Sequence, residues 1–227
     1  MTANRYIIVV AAGSGKRMGA SLPKQFLPIA GKPILMHTLE RIHAFDPAIN
    51  IRLVLHPDFF DYWKALVQEH HTQIPHQLIE GGEERFHSVK RAVDSISDLE
   101  AIVGIHDGVR PLVSDETLTR CFEKAEQVGN AVPVIPVNDS LRVIKDDSNH
   151  AVNRSHYRIV QTPQCFVMSE LKKVFEQPFN GSFTDDASVV EAAGSSIHLV
   201  EGNRSNVKIT SPEDLAWAEW SLGSGRV

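Results

Sequence analysis

Three features of the sequence predict an α/β fold: a mostly parallel, twisted sheet with helices on both faces and one projecting β-hairpin arm. First, short apolar runs alternate with amphipathic helical stretches, the pattern of βαβ units. Second, glycine and polar residues gather just after those runs, at Ala11 to Arg17, Gly81 to Arg85 and His106 to Arg110. Such positions meet at the carboxyl edge of a parallel sheet, where ligands bind. Third, the alternation stops between Asn138 and Tyr157, where too few apolar residues remain to cover two sheet faces. The chain of 227 residues reads as one domain, 1–227, with residues 137–158 as the arm.

The first strand is Ile7 to Val10, running into Ala-Ala-Gly-Ser-Gly with Lys16, Arg17 and Lys24 close behind. Pro33 suits a helix's first turn, and Leu35, Leu39 and Ile42 then share one face. A β-branched strand follows at Ile51 to Leu55. Asp58 is expected to cap the next helix, which presents Phe59, Trp63, Leu66 and Val67. A short strand at Gln77 to Ile79 leads to Gly81-Gly82 and a helix face of Val89, Ala92, Val93 and Ile96.

Ala101 to Ile105 is a buried strand closing on His106-Asp107-Gly108. Ser114 is an N-cap with Asp115 and Glu116 near the positive helix end, and Gly129 stops that helix. Ala131 to Ile135 is the next strand. In the arm, Leu141 to Val143 and Ala151-Val152 flank the turn residues Asp146 to Asn149. Helices are expected from Ser169 to Phe175 and from Thr184 to Glu191, and strands at Ile197 to Val200 and Val207 to Ile209. Ser211-Pro212-Glu213-Asp214 opens the last helix.

Composition excludes several classes of function. Hydrophobic content of 42% and charged content of 22% fit a soluble globular protein. A net charge of −5 argues against a general nucleic-acid binder. Cys121 and Cys165 are the only cysteines, which suits a reducing cytoplasm rather than a disulfide framework. Neither a signal-peptide pattern nor a bilayer-length apolar run is present, so a cytoplasmic location without membrane contact is expected.

The loop after the first strand has small residues that free backbone N–H groups for phosphates, followed by cations. It is neither a dinucleotide fingerprint, since Met18 stands at the third glycine, nor a P-loop, since Val10 and Arg17 break that pattern. Asp107 at a strand end suits a metal or substrate hydroxyls, and Arg110 a substrate phosphate, although the two could simply form a structural ion pair. Glu83 and Glu84 could equally serve a helix N-terminus. His70-His71 and His76 lack zinc spacing, and no G-x-S-x-G elbow appears.

Taken in order, AAGSGKRM, PKQF, GGEERFHSV, HDGVRP, NDS, TPQCF, TDDASVVE and EGNRSNVKIT-PEDL resemble the 2-C-methyl-D-erythritol 4-phosphate cytidylyltransferases. The resemblance spans Ala11 to Leu215. It implies a Rossmann-like nucleotidyltransferase domain, a homodimer exchanging β-arm contacts, CTP and a polyol phosphate as substrates, and Mg²⁺. It assigns transition-state stabilisation to Arg17 and Lys24, and positioning of the sugar phosphate to Arg154 and Lys208. Asp107, Arg110, Ser140 and Thr162 match further substrate contacts. Ala11, Ala12, Gly13, Gly82, Glu83 and Ser88 match the cytidine pocket. Mg²⁺ is expected mainly on the CTP phosphates, with Asp107 as a candidate ligand.

Departures from the family pattern are Val10 for Pro, Gly108-Val109 for Ala-Ala, Ser140 for Thr and Glu83 for Asp. None removes a charge or a donor. A ribitol 5-phosphate cytidylyltransferase shares the nucleotide half, PKQF and TPQ, and a sugar-1-phosphate nucleotidylyltransferase shares only the first loop. A non-catalytic nucleotide-binding module would keep the same fold.

Overall fold

Among the described residues, 3–13 and 22–224 of a computed structural model, twelve strands and seven α-helices follow one another. Lys16 and Arg17 lie outside the described residues. Strand β1 (Arg5–Val10) is followed by the short β2 (Pro28–Ile29) and β3 (Lys32–Pro33), helix α1 (Ile34–Phe45) and β4 (Asn50–Leu55). Next come α2 (Phe60–Glu69), β5 (His76–Glu80), α3 (Arg85–Asp94), β6 (Ile102–Asp107), α4 (Asp115–Val128) and β7 (Asn130–Pro136). The hairpin β8 (Leu141–Lys145) and β9 (Ser148–Val152) precedes β10 (Arg158–Val160) and β11 (Gln164–Val167). The chain closes with α5 (Met168–Val174), α6 (Asp186–Ala192), β12 (Leu199–Glu201) and α7 (Pro212–Gly223).

Counting the short pieces, eight of these strands form one sheet in the order β10-β7-β11-β6-β1-β4-β5, with β12 on β7. β1 lies between β4 and β6, parallel to both. Its alternation divides the core as a strand must. Ile7 and Val9 face Leu35, Leu39, Trp63 and Phe122, whereas Ile8 faces Val89, Val93 and Phe166. This two-sided burial explains why the strand sequence is an unbroken apolar run.

β11 is a strand that the sequence pattern did not reveal. It runs antiparallel between β6 and β7, so three antiparallel pairings join the parallel ones. β10 continues along β7, but Val160 to Cys165 spans five steps against three on β7, between Val134 and Ala131. The surplus is a bulge at Gln161-Thr162-Pro163. The expected strand at Val207 to Ile209 does not form. A turn holds the chain before it, and only Ile209 N–H bonds to Val109 O, at 3.0 Å.

Asp58 does not cap α2; it sits inside a 3-10 turn, Pro57–Phe59, which His56 caps instead. The helix expected from Ser169 starts at Met168, and the strand expected at Ile197 begins at Leu199. Ser114 and Gly129 bound α4 as expected, with Gly129 at φ 95° in the left-handed region.

Under the sheet, Trp63 Nε1–H donates to His76 Nε2 at 2.9 Å, and the other ring nitrogen bonds Ile74 O. Burial lowers the His76 pKa below the ordinary 6.5, and the Ile74 bond opposes this only in part. Its stability contribution is therefore complete above pH 6.5 and is lost progressively as pH falls from there through the lower folded-state pKa. His76→Gln keeps an acceptor for Trp63 without titrating. Thermal melts from neutral to mildly acidic pH should fall less steeply for the variant than for the wild type.

Candidate active site

The loops that follow β1, β5 and β6 meet because the strands end together. Ala11 N–H bonds Val54 O, Gly81 N–H bonds Leu55 O and Gly108 N–H bonds Val10 O, all within 2.9 Å. Glycine is required at this junction. A Cβ on Gly81 would lie 2.4 Å from that of Ala12. Ser88 Oγ receives Gly82 N–H at 3.0 Å and so braces the second loop.

Between these loops lies a cavity of about 390 Å³, lined by Ala11, Ala12, Gly13, Lys24, Gly82, Glu83, Ser88, Asp107 and Lys208 among others. Gln25 fixes one wall. Its buried amide donates to Ala11 O at 2.7 Å and Gly13 O at 3.2 Å, tying the turn that carries Lys24 to the end of β1. A second cavity of about 200 Å³ shares Arg85, Asp107 and Lys208 with the first and adds Arg110, Gln161, Thr162 and Gln164. Asp107 thus stands where the two cavities join.

Charge converges on that carboxylate. Arg110 Nε lies 3.0 Å and Lys208 Nζ 3.1 Å from Asp107 Oδ2, with Arg85 Nη2 4.0 Å from Oδ1. Burial opposes ionisation of Asp107, but Lys208, Arg85 and Arg110 more than offset it and hold the pKa well below the usual carboxylate range. Arg85 is itself gripped by Asp186 through two bonds of 2.6 Å. That bidentate geometry fixes the guanidinium plane.

Lys208 is held by its neighbours' bonds rather than by a strand. Asn206, fully buried, donates to Thr162 O at 2.8 Å and accepts from Arg110 Nη1 at its carbonyl, also at 2.8 Å. Gln161 donates to Asn203 O at 2.9 Å. On the far side, the Ser211–Asp214 capping box pins the start of α7.

Arg154 and Ser140 are not brought to either cavity. Both are exposed at the base of the hairpin, and Arg154 donates to Asn138 O. Arg17 lies outside the described residues. Conversely, Gln25 belongs to the site without having been singled out by sequence, and Arg85 and Asn206, which the sequence offered only as members of candidate loop stretches, prove to be two of its fixed points. PKQF, GGEERFHSV and SNVKIT contained them, but a buried amide looks like any other polar residue in a loop.

The family model for 2-C-methyl-D-erythritol 4-phosphate cytidylyltransferase matches residues 6–224. A protein of that name from Bacteroides thetaiotaomicron is 50% identical over 209 residues, covering 92% of this chain and 95% of that protein. One from Clostridium perfringens is 38% identical over 216 residues, covering 93% and 96%. Among solved structures, that of the Thermus thermophilus cytidylyltransferase is similar at 32% identity and a TM-score of 0.76, covering 97% of this chain and 98% of that one. The 4-diphosphocytidyl-2C-methyl-D-erythritol synthase of Anaerococcus prevotii is similar at 25% identity and a TM-score of 0.83, covering 98% and 100%.

Proposed function

The chain belongs to the 2-C-methyl-D-erythritol 4-phosphate cytidylyltransferase family, and from that membership we propose how its joined cavities carry the family's reaction. The enzyme transfers CMP from CTP to 2-C-methyl-D-erythritol 4-phosphate and releases pyrophosphate, in isoprenoid biosynthesis. The observation that carries the site assignment is the pair of cavities sharing Asp107 and Lys208. A two-substrate transfer needs two such spaces meeting at one polar wall.

In this reading the larger cavity takes CTP. Ala11, Ala12, Gly13, Gly82, Glu83 and Ser88 surround the cytidine, with Lys24 at the phosphates, a role that the family resemblance also gives Arg17. The sugar phosphate occupies the smaller cavity, where Asp107 and Thr162 meet its hydroxyls and Arg110 and Lys208 its phosphate end. A phosphate oxygen then attacks the α-phosphorus in line as pyrophosphate leaves. The nucleophile is already an anion, so no general base is needed. The residues bring two polyanions together and stabilise charge spreading over the equatorial oxygens.

Mg²⁺ fits this donor set. It favours one or two carboxylates together with substrate phosphates, and Asp107 and Glu83 are carboxylates lining the CTP cavity. When bound, it would neutralise phosphate charge. Among the described residues no cluster of three His, Cys, Asp or Glu side chains gathers, which supports phosphate oxygens as the main ligands. A cytoplasmic location is supported by Cys121 and Cys165, both buried free thiols.

The arm supports a homodimer. β8 and β9 pair only with each other, and Ile144 is 80% exposed. Isolated hairpins of this kind are marginal in water. Arg154 and Ser140 sit on this arm and line neither cavity of their own chain, so we assign them to the site of a second copy.

Two measurements test these readings. Pyrophosphate release with CTP should be faster by orders of magnitude for methylerythritol phosphate than for ribitol 5-phosphate; the reverse preference would sink the substrate assignment. Mixing inactive Lys24→Ala and Arg154→Ala chains should restore roughly a quarter of wild-type activity, because half the dimers then carry one intact site. No recovery after exchange of subunits would return Arg154 to its own chain.

A further inference from the structure

His106 is fully buried at the end of β6, beside Asp107, and both ring nitrogens are engaged. Nε2 lies 3.1 Å from Arg110 O, and Nδ1 lies 3.0 Å from Thr162 Oγ1. A carbonyl can only accept, so Nε2 carries the hydrogen. The ring is fully buried and neither nitrogen bonds a carboxylate, so it is held neutral and Nδ1 is bare. The Thr162 hydroxyl must then donate to Nδ1. That same oxygen accepts Asp107 N–H at 3.0 Å.

Two consequences follow for the site. One ring holds both ends of the turn from Asp107 to Arg110: the Asp107 amide through Thr162, and the Arg110 carbonyl directly. The side chains leaving those two ends are the ion pair that Lys208 joins. In addition, the single hydrogen of the Thr162 hydroxyl is committed. One lone pair remains for a ligand, and a lone pair receives a donor rather than a phosphate oxygen.

Building on the functional reading above, we propose that His106 is a positioning residue for the sugar-phosphate side of the site. Its Nε2–H tautomer clamps the Asp107–Arg110 turn and orients Thr162 to accept a hydrogen bond from a polyol hydroxyl.

Two substitutions separate the arms of the clamp. His106→Gln places an N–H where Nε2 was and leaves Thr162 without its acceptor. His106→Asn places an oxygen where Nδ1 was and retains that acceptor. With His106→Gln, the KM for the sugar phosphate should rise about tenfold while the KM for CTP stays within twofold. His106→Asn should recover most of that loss. Equal losses toward both substrates, or equal defects in the two variants, would mean that His106 only supports the fold. A second measurement needs no variant. Nitrogen-15 NMR of the wild-type protein at neutral pH should show His106 with a bare Nδ1 and a protonated Nε2, and the opposite tautomer or a doubly protonated ring would overturn the proposal. Failure of the wild type to transfer CMP to the sugar phosphate would instead sink the functional reading, and the NMR result would not depend on it.

Discussion

Replacing Lys24 by alanine should lower kcat about a hundredfold, equivalent to about 3 kcal/mol of barrier, while the melting temperature moves by only a few degrees. The two effects separate because different atoms carry them. Lys24 lines the larger cavity from a 3-10 turn, Lys24–Phe26, whose other two residues face inward. Gln25 bonds the end of β1, and Phe26 packs edge-on to Tyr62 at 5.2 Å and tilted against Phe59 at 5.4 Å. Those contacts remain when the lysine side chain is removed. On the proposed reading, what disappears is a positive charge where the α-phosphate gains negative charge in the transition state. Steady-state pyrophosphate release and thermal melts on the same preparation check both halves. Unchanged turnover would remove Lys24 from the mechanism. Arg17→Ala takes the same kinetic test.

Asp107→Asn is expected to have the second large effect, with a different profile. Three cations face this carboxylate, and Arg110, 11% exposed at its side chain, has little access to water as a substitute. Removing one partner of a buried ion pair costs on the order of 3 kcal/mol, because the remaining charge stays buried. Stability to denaturant should therefore drop measurably. kcat/KM for the sugar phosphate should fall about a hundredfold, since Arg110 and Lys208 lose the anchor that orients them. KM for CTP should change much less. A variant with wild-type kcat/KM would show that the two cations are positioned by their other bonds, to Asn206 and along the 206–210 segment.

The sequence was most legible where a residue's role is local. Ser114 and Gly129 mark the ends of α4, and Asp185 and Ser211 open α6 and α7 with capping boxes. The glycine positions at Gly81 and Gly82 also read correctly as a loop, because close backbone approach excludes a Cβ there. Legibility failed where the partner is distant. Gln164 to Val167 is only four residues long and passes directly into α5, so nothing in its own pattern marks it as a strand between β6 and β7. Val207 to Ile209 has strand-like spacing, yet no neighbouring strand offers it a ladder. Asp58 resembles a cap, but Pro57 shapes a 3-10 turn before the helix starts.

For this protein, the sequence by itself determined the alternating α/β architecture, the helix ends and the loops that carry the site. Those follow from periodicity and from backbone preferences that act over a few residues. Only the tertiary structure decided that Arg85, Asp107, Arg110 and Lys208 form one charged group, that His106 braces it while Gln25 ties the Lys24 turn to β1, and that Arg154 and Ser140 stand apart from it. The reason is physical. Ion pairing depends on distance through space, and residues about a hundred positions apart, such as Arg85 and Asp186 or Asp107 and Lys208, become neighbours only where the sheet brings their loops to one edge.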